Sequence, residues 1–374
     1  MRVHVVDPSA YTPPYDHALC AALARGGAEV ELITSDFAYG ETPTPNGYQV
    51  RELFYRHALG QPGSRMRLVS KLAQHLPDMV RYRREAGAAD VVHFQWLPVQ
   101  ALDTHLLPRR PVVLTAHDLL PREPRPGQVG AQRRLYDAVD ALVVHSEYGR
   151  GQLVSELGIE PAKVHVVHHG AFSHLLEQPH EAPLLQDLAE VKGPVVLFFG
   201  LLRPYKGIEV LLDAWRGLVG AELWIVGRPR MPVEPLRGKA PPGVRFVPRF
   251  ISDAELPAYF RRADVVVLPY LRTERLDFSG VLATALAFGK AVVASDIGGF
   301  SEVGATGGAR LVAPGDPAAL HEELAELIAD PAARQQLSTT ARAAAAGPYS
   351  WDRAAAATLE LYRRLLATGV RASA

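Results

Sequence analysis

Two doubly wound α/β domains are predicted for this chain. Short, continuously apolar runs of the kind found in buried parallel strands recur along its length. Helical patterns separate them, and the alternation restarts after a Pro-, His- and Glu-rich stretch near residues 175–193. A length of 374 residues exceeds what one core usually organises, so the two series of strands are assigned to residues 1–178 and 179–349.

The first series opens with a strand at Val3–Val6, a helix at Asp16–Arg25 with Asp16 as its N-cap, and a strand at Val30–Thr34, which together make a βαβ unit. The loop PSAYTPPYD between them lies at the C-terminal end of the first strand. Ligands gather at that edge of an open parallel sheet, which makes Tyr15 and Asp16 candidate acceptor contacts, with a Pro-stiffened connection as the alternative. A further strand is expected at Gln49–Tyr55. Residues 64–85 form an amphipathic helix with Arg65, Arg67, Lys71, Arg81, Arg83 and Arg84 on it, kinked or interrupted at Pro77. Such a helix is either a solvated surface element or a contact for an anionic membrane surface or acidic acceptor.

Strands Val91–Trp96, Val112–Asp118 and Leu142–Ser146 each end in polar residues, which nominates His93, His117, Asp118 and Ser146 for one crevice. His165, His168 and His169 alternate with strand residues and match no common zinc spacing, so no metal is expected. The second series comprises strands at Val195–Phe199, Leu223–Val226, Val244–Val247, Val265–Leu268, Ala291–Ala294 and Arg310–Val312, with helices at Lys206–Leu218 and Asp253–Arg262 and from about Ala318 onward.

Lys plus Arg and Asp plus Glu both number 40, a balance that gives no reason to expect a nucleic-acid partner. The single cysteine, Cys20, has no partner for an internal disulfide and is read as a helix core residue in a reducing compartment. No leader-like apolar run and no stretch of about 18 apolar residues occurs, so a cytoplasmic location is expected, with peripheral contact at the inner membrane face left open.

Chemistry concentrates in two stretches of the second half. In GLLRPYKG, Arg203 and Lys206 stand beside Gly200 at a strand-to-helix turn, a two-pronged donor and a point charge suited to phosphate oxygens. In the stretch 274–302, a polar loop runs into a helix opening at Ser279 and Gly280, whose first backbone N–H groups suit phosphate, while Asp277 and Glu302 flank it and are suited to hydroxyls. Neither a G-x-G-x-x-G nor a G-x-x-x-x-G-K-[ST] motif occurs, and there is no Asp-x-Asp.

The combination DVVHFQW, the strand end Thr115–Asp118, VVHHG, FFGLLRPYKG, ADVVVLPY, SGVLATALAFGKAVVASDIGGFSE and the terminal YSWDRAAAATLELYRRLL resembles the retaining glycosyltransferases of family 4, the group 1 nucleotide-sugar transferases. The resemblance implies the GT-B fold, two facing Rossmann-like domains with parallel sheets and an interdomain cleft, with the last helix, 350–374, packing back on the first domain. It implies transfer of a sugar from a nucleoside diphosphate sugar to an acceptor hydroxyl with retention, without metal or cofactor. By it, Arg203 and Lys206 hold the diphosphate with the N–H groups of Ser279, Gly280 and Val281. Arg249 and Phe250 lie in the base-binding segment, and Phe278 and Glu302 complete the donor site. Asp277 and His117 approach the sugar, and the first domain, with His93, binds a saccharide, lipid-linked or small-molecule acceptor. The family's glutamate pair falls on Leu276 and Thr284, so Asp277 takes the first role by a one-residue shift and Thr284 offers a hydroxyl for the second. Open alternatives are a nucleotide-sugar epimerase or phosphorylase and a non-catalytic nucleotide-sugar-binding subunit.

Overall fold

The computed structural model describes residues 1–120, 125–177, 181–273 and 277–369. The described chain divides into two compact units: residues 1–170, Asp277 and 351–369 form one, and 171–273 and 278–350 the other.

In the first unit the order is β1 (Arg2–Asp7), α1 (Pro13–Arg25), β2 (Glu29–Thr34), β3 (Gln49–Glu52), α2 (Arg65–Glu85), β4 (Val91–Phe94), α3 (Gln100–Leu106), β5 (Val112–Thr115), α4 (Gln128–Ala138), β6 (Ala141–Val144), α5 (Glu147–Ser155) and β7 (Val164–Val166). The strands are parallel and ordered β3-β2-β1-β4-β5-β6-β7. Order reverses between β1 and β4, which creates a crevice at their C-terminal ends. Every residue of β4, β5 and β6 is buried, as expected of mostly apolar strands covered by helices on both faces, with His93 and Thr115 the polar residues among them.

The second unit repeats the plan: α6 (Gln186–Ala189), β8 (Val195–Phe199), α7 (Ile208–Ala214), β9 (Glu222–Val226), α8 (Glu234–Lys239), β10 (Val244–Val247), α9 (Leu256–Arg262), β11 (Val265–Leu268), α10 (Gly280–Ala287), β12 (Ala291–Ser295), α11 (Phe300–Ala305), β13 (Arg310–Val312), α12 (Pro317–Ala329) and α13 (Pro331–Ala346). Its parallel sheet runs β10-β9-β8-β11-β12-β13, with the reversal between β8 and β11. The last helix, α14 (Trp351–Ala367), packs against α1 of the first unit, where Gly26 lies so close to Leu359 that a Cβ would sit 2.5 Å from its Cδ1.

Four local expectations are corrected. Asp16 does not cap α1: Thr12 occupies the N-cap and Pro13 the first helical position, where its fixed φ and missing N–H cost nothing. The helix expected at Lys206–Leu218 is a 3₁₀ turn, Pro204–Lys206, followed by α7. Gly207 separates them at φ +70°, with a carbonyl 1.8 Å from where a Cβ would stand. Pro77 does not interrupt α2, which runs through it with the ring on the exposed side. β3 stops at Glu52 because Leu53 and Phe54 both turn their N–H groups to the Thr34 carbonyl and Tyr55 takes φ +53°.

Candidate active site

In the second unit, the C-terminal ends of β8, β9 and β11 bring together the residues of the phosphate expectation. β8 delivers Gly200 at φ +117°, and a Cβ there would meet Lys206 Nζ at 3.4 Å and Val281 Cγ2 at 3.3 Å. The ammonium therefore lies against the start of α10. Lys206 is buried, and its Nζ donates to the Tyr270 hydroxyl at 2.5 Å and sits 4.4 Å from that ring's centre. Tyr270 in turn contacts Ser279 Oγ at 3.2 Å. Lysine, tyrosine and serine thus form one chain running from the β8 turn to the N-terminus of α10.

Two features leave donors available in this cradle. Ser279 occupies the N-cap of α10 but makes no side-chain capping bond, so the first-turn N–H groups of Gly280 and Val281 are not consumed by it. Arg203 is half-buried, and its Nε has no hydrogen-bond partner among the described residues. A buried guanidinium N–H costs free energy unless an acceptor meets it. Donors of this type, at the positive end of a helix, fit the oxygens of a phosphate group.

The loop after β9 supports this geometry and was passed over in the sequence. Gly227, at φ +139°, lies so close to Gly200 that a Cβ would stand 1.9 Å from the Gly200 carbonyl oxygen. Leu202 then donates its N–H to the Arg228 carbonyl, and Arg230 donates its N–H to the Leu202 carbonyl, which zips the two loops together. The signal in the sequence is the pair of strand-end glycines, FFG and IVG.

Arg249 and Phe250 follow β10 at the same sheet edge. The Arg249 guanidinium pairs with Glu255 at 2.6 Å, which holds that carboxyl down at about 2, and donates to the Phe250 carbonyl, while the Phe250 side chain is exposed. Phe278 is buried and stacks on Tyr349, 5.8 Å between centres. Glu302 lies in the first turn of α11, half-buried. Thr284 is buried, and its hydroxyl donates to the Gly280 carbonyl one turn back, so its proton is engaged within α10. Glu274 and Leu276 lie outside the described residues.

The first unit gathers a different chemistry. The β1 loop is organised by Asp7, whose carboxylate accepts from the N–H groups of Ser9, Tyr11 and Thr12 at 3.1, 2.6 and 3.3 Å. Asp16 lies buried beside it, and burial together with the neighbouring Asp7 carboxyl pushes its pKa well above the carboxylate range. Asp16 is thus a buried neighbour of Asp7 that also borders a hollow of about 380 Å³ with Ala10, Pro13 and His17. His93, expected as an acceptor contact, lies inside the core, where its two ring nitrogens bond to the Tyr362 hydroxyl at 2.6 Å and to Thr115 Oγ1 at 2.8 Å.

His117 is half-buried at the end of β5. Its ring stacks on Trp96 at 5.0 Å, and Tyr15 meets it edge-on at 4.6 Å. Its Nε2 contacts Gln95 Oε1 at 3.1 Å. Burial, then His145 and His169, push its pKa well below the usual histidine value, so it is neutral near pH 7. Tyr15 is buried against His169 and Trp351 as well, which makes it the centre of this aromatic cluster. Asp277 is fully buried. Its carboxylate accepts from the backbone N–H of His145 and the hydroxyl of Ser146, so the oxygens expected to hold a sugar are engaged at the end of β6. Among the described residues no group of three His, Cys, Asp or Glu side chains could hold a metal ion.

Comparison with known proteins shows the family and the fold of the chain. Residues 193–330 match the family model described as "Glycosyl transferases group 1", and residues 15–171 match that described as "Glycosyltransferase Family 4". The chain is 31% identical over 382 residues to a D-inositol 3-phosphate glycosyltransferase of Xylanimonas cellulosilytica, covering 92% of this chain and 89% of that one. A protein of the same title from Kineococcus radiotolerans is 28% identical over 396 residues, with 92% and 88% covered. Among solved structures, sucrose-phosphate synthase from Thermosynechococcus elongatus superposes with a TM-score of 0.74 at 20% identity, covering 98% of this chain and 100% of that one. Anabaena Alr3699/HepE in complex with UDP and glucose gives 0.73 at 20% identity with the same coverage, and both show the shared two-domain GT-B architecture.

Proposed function

Because the chain belongs to the group 1 glycosyltransferases of family 4, we propose that its second unit holds a nucleoside diphosphate sugar by the diphosphate, through Arg203, Lys206 and the N-terminus of α10. The chain is an enzyme of nucleotide-sugar glycosyl transfer. The observation that carries the donor assignment is the convergence of Lys206, Gly200 and Val281 beside an α10 N-terminus that Ser279 leaves uncapped. Arg249 and Phe250 supply the base-binding segment, with Phe278, Thr284 and Glu302 bordering the donor. Uridine diphosphate is the first nucleotide to test, since it is bound in the HepE structure.

In the reaction, the bond between the anomeric carbon and the phosphate oxygen breaks while the acceptor oxygen bonds to the same face of that carbon. The acceptor's proton passes to the departing phosphate, and the configuration is retained. Arg203 and Lys206 stabilise the charge that develops on the leaving diphosphate, which makes them catalytic as well as binding residues. No metal or cofactor is required by this scheme. His117 offers a neutral imidazole, and it is proposed as the sugar contact of the first unit. Asp277 acts on the sugar only if its bonds to His145 and Ser146 are exchanged for sugar hydroxyls; otherwise it positions the end of β6.

For the acceptor, a phosphorylated polyol is proposed. The activity for which the relatives are named supports this, and so does a hollow of about 560 Å³ in the first unit, lined among others by Arg56, Arg67, Lys71, Tyr55 and Asp36. Lys71 lies 4.9 Å over the Tyr55 ring, and its pKa is lowered by burial and then by Arg67, a strain that an acceptor phosphate would relieve. If the acceptor is instead lipid-linked, the basic helix α2 would hold the chain peripherally at a membrane face. The test is turnover of UDP-sugars with polyol phosphates, with the anomeric configuration of the product read by NMR. A product of inverted configuration overturns the assignment, and conversion of donor without acceptor would favour an epimerase.

A further inference from the structure

Helix α2 carries six basic residues against two acidic ones, although basic and acidic residues are equal in number over the whole chain. Its buried face is made by His75, Met79 and Tyr82. On the flank beside that face, Val69, Leu72 and Leu76 stand at three- and four-residue spacing and are 64%, 52% and 46% exposed, with Met66 farther round at 62%. Isolated exposed apolar residues need no explanation, but four on one stripe of one helix do.

The stripe continues through Val80 into a hollow of about 370 Å³ lined by Val80, Arg83, Arg84, Gly87, Arg109 and Arg110. Four guanidinium groups line it, and none of the lining residues is acidic. Arg83 and Arg110 are pinned by single bonds to the His105 and Gly87 carbonyls, at 3.2 and 2.6 Å, which leaves the rest of each fork available. Among the described residues no carboxylate lies within ion-pair distance of any of the four, whereas Arg51 and Arg81 nearby are both paired with Glu85. From Val69 to Arg84 the helix extends roughly 22 Å, from an apolar stripe at one end to a cationic cradle at the other.

We propose that this face of α2, with Arg109 and Arg110, docks the protein on an anionic bilayer: the arginine hollow takes lipid headgroup phosphates while Val69, Leu72 and Leu76 enter the headgroup boundary. Charge complementarity selects this occupant: headgroup phosphates meet the four arginines, whereas a two-fold contact with a second copy of the chain would set the arginines of one copy against those of the other. An apolar stripe running into a basic cluster is also the pattern by which helices lie in the interface plane. The assignment extends the peripheral-contact reading of α2 and is independent of the donor site, since none of these residues belongs to the phosphate cradle of the second unit.

The test is co-sedimentation of the full chain with vesicles of phosphatidylcholine alone and of phosphatidylcholine mixed equally with phosphatidylglycerol. Binding is expected only to the anionic vesicles and is expected to disappear in molar salt. Arg83→Ala and Arg84→Ala should each weaken it about fivefold, and the double variant Leu72→Ser/Leu76→Ser should abolish it. Should the leucine variant misfold by circular dichroism, Arg109→Ala/Arg110→Ala gives the same reading from outside the helix. Binding of UDP to all of these variants should be unchanged, which separates this outcome from failure of the donor assignment. The proposal is overturned if the wild-type chain ignores anionic vesicles or binds both kinds equally. It is also overturned if inorganic phosphate binds at the hollow while vesicles do not, or if sedimentation equilibrium shows a dimer that the leucine variant disperses.

Discussion

Lys206→Met removes the cation of the proposed phosphate cradle and little else. The side chain is buried, so methionine occupies nearly the same volume against Tyr270 and Gly200. In the unliganded protein the change forfeits the bond to the Tyr270 hydroxyl and the contact over that ring, but it also removes a buried charge from beneath the sheet edge. These effects oppose one another, and the net change in stability should stay within about 1–2 kcal/mol. For a diphosphate the effects do not cancel. A charge-assisted hydrogen bond is worth about 1.5–3 kcal/mol, and in the transition state the leaving group carries more charge than in the ground state. A combined loss of about 3–4 kcal/mol lowers kcat/KM roughly 100- to 1000-fold. The assay is steady-state transfer from the preferred donor, with titration calorimetry of the free nucleoside diphosphate and urea unfolding in parallel. A variant that retains nucleotide affinity and kcat/KM within about threefold would refute the cradle. A stability loss large enough to explain the kinetics would leave the Arg203 test, Arg203→Gln, to decide it, because that side chain's buried Nε has no partner to lose among the described residues.

Three further outcomes follow from the geometry. Gly227→Ala must push its Cβ away from the Gly200 carbonyl, 1.9 Å off, and adopt φ +139°; it should cost about 2–4 kcal/mol by thermal unfolding and should weaken nucleotide binding further by parting the two loops. His93, His145 and His169 are held by burial at about 3, 4 and 3, below their unfolded value near 6.5. Between those values the unfolded chain binds protons that the folded chain does not, so stability should fall as pH drops below about 6.5, by up to about 2 kcal/mol per ring at pH 5; a urea midpoint that stays flat from pH 7 to pH 5 would contradict this. Asp16, whose pKa is raised, works in the opposite direction and gains stability on acidification, so Asp16→Asn should stabilise the protein more at pH 8 than at pH 5, with the effect vanishing only below the ordinary carboxylate value of about 3.8.

The strands were the legible part of the fold, because a strand buried on both faces must be apolar throughout, and Val265–Leu268 or Val195–Phe199 can be little else. The juxtaposition of Arg203, Lys206 and the Ser279–Gly280 helix start was legible for a similar reason: all lie beside strand ends, and the topology forces strand ends of one sheet together. What could not be read was the partner each polar side chain would choose. His93 and Asp277 are the right types at suggestive positions, yet the former is satisfied by Tyr362, 269 residues away, and the latter by His145 and Ser146 from another strand end. The crossover helices α3, α4 and α5 were likewise missed, being short and only weakly periodic. The Gly227 contact with Gly200 depends on the spacing of two neighbouring strands, which no local pattern encodes.

The account stands or falls on whether the second unit binds a nucleoside diphosphate through the β8 turn and α10. A thermal-shift series with UDP, GDP, ADP and dTDP tests that most directly, since a ligand at about 100 times its Kd adds about 2.7 kcal/mol to the apparent stability of the state that binds it. The prediction is a clear upward shift with at least one nucleotide in the wild-type protein and its loss in Lys206→Met and Arg203→Gln. A melting temperature unmoved by all four nucleotides, or a shift that both variants retain in full, would contradict it.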